Sequence, residues 1–212
     1  MSGREPDGRI DHDVAAIAGR LENASRARES ALADCRAVIR AAGSAVRAVH
    51  RLAPADAQSL LTDAAVRLRA AQEALGPFPS VEHAGFLHDA AKEYVEATAT
   101  RALVSGEPVP GPGELGVADP AWLCGLAEAA SELRRHALDR LREGDLARAE
   151  QLLGSMDDVF GALVSIDAPD AITGGLRRTL DALRAVIERT RGDITNAVLQ
   201  ERLREALTDR LS

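Results

Sequence analysis

The stretch A-G-F-L-H-D-A-A-K-E-Y-V-E-A-T-A-T-R-A-L, Ala84 to Leu103, reads as the heart of a helix that begins near Val81. Asp89, Glu93 and Glu96 stand at i, i+4 and i+7 within it. On a helix that spacing sets three carboxylates on one side. Like charges so placed oppose helix formation by roughly 0.2–0.5 kcal/mol per pair. A cluster of this kind needs water or a cation, and which one it has separates a solvated face from a site.

Outward from this stretch the chain reads as helix after helix, with no β-alternation. On the N-terminal side, Gly76 to Ser80 is a turn and Pro54 to Gly76 a helix with Leu60, Leu61, Ala64, Leu68, Ala71 and Leu75 inward. Before it, Leu32, Cys35, Ile39, Ala42, Val46 and Val49 recur in steps of three and four, marking a long amphipathic helix that starts near Asp11 and ends near Leu52. Residues 1–10 read as a flexible tail, and 11–212 as a single all-α domain. On the C-terminal side, Ser105 to Gly116 is a Pro/Gly-rich loop. Asp119-Pro120 starts a helix running to about Arg142, with Asp119 as the cap. Gly144-Asp145 separates it from a fifth helix, Gly174-Gly175 is a turn, and Gly192-Asp193 is expected to divide a sixth helix, Leu176 to Arg189, from a seventh.

Composition agrees with helices. The 212 residues are 46% hydrophobic but only 2% aromatic, so the core must be built from Ala, Leu, Val and Ile. Two cysteines, in no metal-ligand spacing, exclude a disulfide framework and point away from zinc. With no signal-like or membrane-spanning apolar run, the expected location is cytoplasmic. The net charge of −7 argues against a general nucleic-acid binder. Yet Arg36, Arg40, Arg47 and Arg51 form one stripe on the first long helix, His50 sits beside Arg51, and Lys92 is the sole lysine. By periodicity the stripe fits either a solvated face or phosphate recognition.

A second acid pair, Glu128 and Glu132, lies at i, i+4 on the helix after the loop. With Glu93 and Glu96, four carboxylates on two helices have the hard-oxygen chemistry of a Mg²⁺ or Mn²⁺ site. Spacing is equally compatible with two solvated faces. A di-iron bundle is disfavoured because Glu-x-x-His does not occur, and no Walker A loop, G-x-G-x-x-G or G-x-S-x-G is present.

The local strings say more than the periodicities. A-G-F-L-H-D-A-A-K-E-Y-V-E-A (84–97) resembles the signature helix of the translin family, which includes translin and translin-associated factor X. G-L-A-E-A-A-S-E-L-R-R-H-A-L-D-R-L-R-E-G-D (125–145), P-D-A-I-T-G-G-L-R-R-T-L-D (169–181), E-R-T-R-G-D-I-T (188–195) and R-A-A-G-S-A-V-R-A-V-H-R (40–51) resemble further family segments, in order. The resemblance is nearest to compact prokaryotic members. It implies a translin-like bundle of about seven helices, assembled into hollow homo-oligomers that hold single-stranded RNA or single-stranded DNA. It implies Mg²⁺ (or Mn²⁺) ligands at Glu93, Glu96, Glu128 and Glu132, and endoribonuclease chemistry at the first three. Asp89 is a weaker neighbour. It implies nucleic-acid contacts at Arg40, Arg47, Arg51 and His83. One departure stands out: catalytic members usually carry aspartate where this chain has Glu128. The alternative the resemblance carries is a non-catalytic RNA/ssDNA-binding module.

Overall fold

The computed structural model describes residues 8–82 and 85–211. Among them there are only helices: α1 Gly8–His50, α2 Pro54–Leu75, α3 Pro79–Glu82, α4 Phe86–Ser105, α5 Pro112–Leu115, α6 Asp119–Arg142, α7 Leu146–Val164, α8 Asp170–Thr173 and α9 Leu176–Leu211. Six are long, and α3, α5 and α8 are single turns of four residues.

The core follows from the scarcity of large side chains. One cluster joins α1, α2 and α4 through Ala31, Cys35, Val38, Ala42, Ala45, Leu61, Leu68, Leu75, Ala90 and Tyr94. A second joins α6, α7 and α9 through Leu126, Ala130, Leu133, Met156, Leu183, Ile187 and Ile194, with Ala99 of α4 at its edge. Alanines let helix axes approach closely, and Gly125 of α6 goes further. A Cβ there would lie 2.6 Å from the Lys92 carbonyl oxygen and 2.7 Å from Val95 Cβ. The crossing of α4 and α6 therefore requires glycine at this position.

Besides the single turn α5 inside the stretch read as a loop, and α1 ending at His50 rather than near Leu52, four boundaries differ from the sequence reading. α1 already includes Gly8 to Ile10, which had been assigned to the tail, and residues 1–7 lie outside the described residues. α4 begins at Phe86, after Gly85 with its φ of 88°. Asp119 is the first residue of α6, while Ala118 occupies the cap without a side-chain bond. The two helices expected at the C-terminus are one, α9, of 36 residues. Gly192 has helical geometry at a penalty of about 1 kcal/mol relative to alanine, and Asp193 accepts a 2.8 Å bond from Arg134 of α6 instead of capping a new helix. Tertiary pairing has overridden a local stop signal.

On α1 the buried seam is Ala31, Cys35, Val38, Ala42, Ala45 and Val49, whereas Ile39 is exposed. Small residues were the contact residues, and the larger apolar ones misplaced the seam. The α1–α2 turn places Leu52 at φ 57°, with Ala53 N–H donating to Ala48 C=O at 3.0 Å before Pro54 opens α2. Trp122 Nε1 donates to the Pro110 carbonyl at 2.9 Å, tying the loop to the second core as an anchor.

Candidate metal centre and nucleic-acid face

α4 is buried on more than one side, because Ala90, Ala91, Tyr94, Val95, Ala97, Thr98, Ala99 and Thr100 are all buried. Glu93 and Glu96 stand on what remains of its surface, and that surface faces α6. α6 is in the same position: Cys124, Ala127 and Ala129 are buried as well as the Leu126/Ala130/Leu133 seam. Glu128 and Glu132 are thus half-buried between packed helices, not on an open face. Periodicity could not show this, since it registers one buried stripe and not two.

Glu93, Glu96 and Glu128 converge. Each offers a carboxylate oxygen within 4.8 Å of the other two. Burial, reinforced by the charges of Glu93, Glu128 and Glu132, pushes the Glu96 carboxyl up to about 8. Burial also raises Glu93, with Glu128 and Asp89 adding repulsion. Crowded acids held in protein without sufficient positive charge behave this way, and a divalent cation would reverse it. Three hard oxygens from two rigid helices fit Mg²⁺ or Mn²⁺.

Among the described residues Lys92 is the cation paired inside the cluster. Its Nζ donates to Glu128 Oε1 at 2.8 Å. Although burial works against its charge, the bond and charge of Glu128, and the charges of Glu93 and Glu96, hold the ammonium above its ordinary range.

Glu132 does not join the three converging acids. Its Oε2 lies 2.9 Å from His50 Nε2, at the C-terminal end of α1. That hydrogen bond holds the Glu132 carboxyl below the ordinary carboxylate value. The His50 side chain is only 4% exposed, and its ring lies 4.8 Å, centroid to centroid, from His136. Burial, helped by the neighbouring His50 and Arg140, drives His136 down to about 4. The sequence places His50 beside Arg51 at the end of the basic stripe and gives no sign of an acid partner. Its partner is 82 positions away, and nothing local announced it. His136, at i+4 from Glu132, could have been found by spacing.

Arg40, Arg47 and Arg51 are exposed, as is Arg36. Ser44 Oγ donates to the Arg40 carbonyl at 2.8 Å, and Arg47 donates to that same Oγ at 2.8 Å, which fixes one guanidinium in the stripe. Among the described residues none of these arginines is in an ion pair with an acid. His50 adjoins Arg51 in the chain and bonds Glu132, so the stripe ends beside the acid cluster. Asp89 is exposed and meets the cluster only through its charge on Glu93. His83 lies outside the described residues.

An all-α bundle with acids converging between two central helices and a bare basic stripe on a third defines a class, and comparison with known proteins identifies it. The solved structure of AfC3PO in complex with duplex RNA is 32% identical, over 89% of this chain and 97% of that one, with a TM-score of 0.79. The crystal structure of AfC3PO gives 31% identity, 89% and 98% coverage, and a TM-score of 0.81. Apo-NeC3PO shares the fold at a TM-score of 0.77, with 17% identity over 92% of this chain and 100% of that one. The uncharacterized protein MJ0175 of Methanocaldococcus jannaschii is 28% identical over 189 residues, 88% of this chain and 83% of its own length. No family model matches the chain. The chain belongs to the C3PO/translin family.

Proposed function

We propose that this protein binds RNA and cleaves single-stranded RNA with Mg²⁺ or Mn²⁺ as cofactor. The observation that carries the reading is the convergence of Glu93, Glu96 and Glu128 within 4.8 Å, next to the end of an unpaired arginine stripe. AfC3PO, a relative above 30% identity, has been solved with duplex RNA. Glu93, Glu96 and Glu128 would hold the metal. A bound divalent cation supplies a water of lowered pKa and neutralises charge building on the phosphodiester. Arg40, Arg47 and Arg51 hold the phosphates and fix the strand, and being charge contacts they do so without reading sequence. His50 holds Glu132 aside, so that acid shapes the field of the site.

The working unit in this reading is a homo-oligomer enclosing the nucleic acid. Ile10, Val14, Ile17 and Leu21, 45–65% exposed, form an apolar stripe on α1 that the monomer leaves bare. Such a stripe supports association. No helix among the described residues is long and apolar enough to cross a membrane. Both cysteines are free and buried, in keeping with a cytoplasmic protein.

A second reading, a binding module that no longer cleaves, draws on Glu128, which is already engaged by Lys92. The test incubates purified protein with end-labelled single-stranded RNA and duplex RNA, in Mg²⁺ or in EDTA. Cleavage of the single strand in Mg²⁺ alone is the expected result. Binding of either RNA with no cleavage in Mg²⁺ or Mn²⁺ would establish the module instead.

A further inference from the structure

We propose that Lys92 acts as a resident cation of the acid cluster, setting its charge so that one divalent ion, and not two, satisfies it. The inference rests on the metal reading above and concerns how that site is tuned.

Three observations carry it. Lys92 is the sole lysine among 212 residues, and it sits next to Glu93, with its ammonium 2.8 Å from an oxygen of Glu128. Its contact is with Glu128, and the charges of Glu93 and Glu96 also act on it, so it lies in the field of all three acids. And its backbone packs closely against α6, with its carbonyl 2.6 Å from where a Gly125 Cβ would be. The ammonium is therefore tethered at the rim of the cluster: its side chain is 23% exposed and that of Glu128 30%.

The charges decide the consequence. With a divalent ion bound the acids are all ionised: Glu93, Glu96 and Glu128 then contribute three negative charges, and Lys92 returns one positive, leaving two. One divalent cation closes that balance. Lys92 also occupies one oxygen of Glu128, which reduces the oxygens open to a second ion. A unit charge this close to a ligand, in a partly dry site, weakens cation binding far more than it would in water. Arginine would keep the charge, while glutamine would keep a hydrogen-bond donor and lose the charge.

Isothermal titration of Mn²⁺ into full-length protein, without RNA, tests this. One Mn²⁺ per chain is expected for the wild type. Lys92→Gln should bind Mn²⁺ at least fivefold more tightly, and Lys92→Arg should stay within twofold of wild type. Circular dichroism confirms that each variant is folded. Two ions per chain in the wild type, or a tightening in Lys92→Gln below fivefold, overturns the proposal while leaving the metal site standing. No Mn²⁺ binding by wild type or by Lys92→Gln at millimolar metal overturns it together with the metal reading, so the two failures are distinguishable.

Discussion

At the scale of single residues, Glu96 and His136 make opposite demands on pH. Glu96 ionises at 4.5 in the unfolded chain but near 8 in the folded one. The folded state holds the extra proton between those values, so this group's contribution to stability falls as pH rises through that window. His136 goes the other way: the unfolded chain protonates near 6.5, whereas the buried ring resists until about 4. Its contribution is fully present above 6.5 and is lost as pH falls toward 4. In EDTA, the melting temperature should therefore decline between pH 6.5 and 8, where only the first of these two groups titrates. Glu96→Gln should flatten that decline. Saturating Mg²⁺ should reverse it, because the metal binds the ionised acids. A melting temperature that is flat across this range in EDTA would show that Glu96 is not crowded. At this scale the sequence showed the acids and their faces. It did not show that Lys92 and His50 partner two of them, because those contacts cross between helices.

At the scale of elements, two glycines have opposite expected outcomes. Gly125 is where α4 and α6 touch, and a methyl there has no room. Gly125→Ala should destabilise by roughly 1–3 kcal/mol through overpacking, read by urea unfolding. It should also weaken Mn²⁺ binding, since α4, with Glu93 and Glu96, would be pushed away from Glu128 on α6. Gly192 lies within α9 with nothing within 4 Å of its Cβ position. Gly192→Ala should stabilise by up to about 1 kcal/mol. A loss of stability there would mean that the helix is broken at Gly192, as the Gly-Asp pair alone suggested. Element type was legible for the six long helices, because Ala, Leu, Arg and Glu in steps of three and four admit little else, whereas the single turn α5 lies in a stretch whose prolines and glycines read as loop. The junctions of α9 and the seam of α1 were not, since each is settled by a neighbouring helix: Asp193 by Arg134, and the alanine seam by α2 and α4.

At the scale of the molecule, the overall acidity conceals an arrangement of charge. The acids gather between α4 and α6, and the arginines line the exposed side of α1. RNA affinity should fall steeply with salt. Arg47→Glu should weaken binding to all RNA sequences about equally and reduce the salt slope, as fluorescence anisotropy would read. A slope unaffected by Arg40→Glu/Arg47→Glu would remove the stripe from the interface. The family was legible because its motifs survive as strings, 84–97 and 125–145 above all. The convergence of those strings into one centre was not, since no periodicity states which helices are neighbours.

The most direct measurement is the single-turnover cleavage rate of a labelled single-stranded RNA across a Mg²⁺ titration, for wild type and for Glu96→Gln. A rate that saturates with Mg²⁺, and that drops at least a hundredfold in Glu96→Gln while RNA affinity is unchanged, is the expected result. Cleavage that persists in EDTA, or that survives Glu96→Gln at full rate, would contradict a metal centre built from Glu93, Glu96 and Glu128.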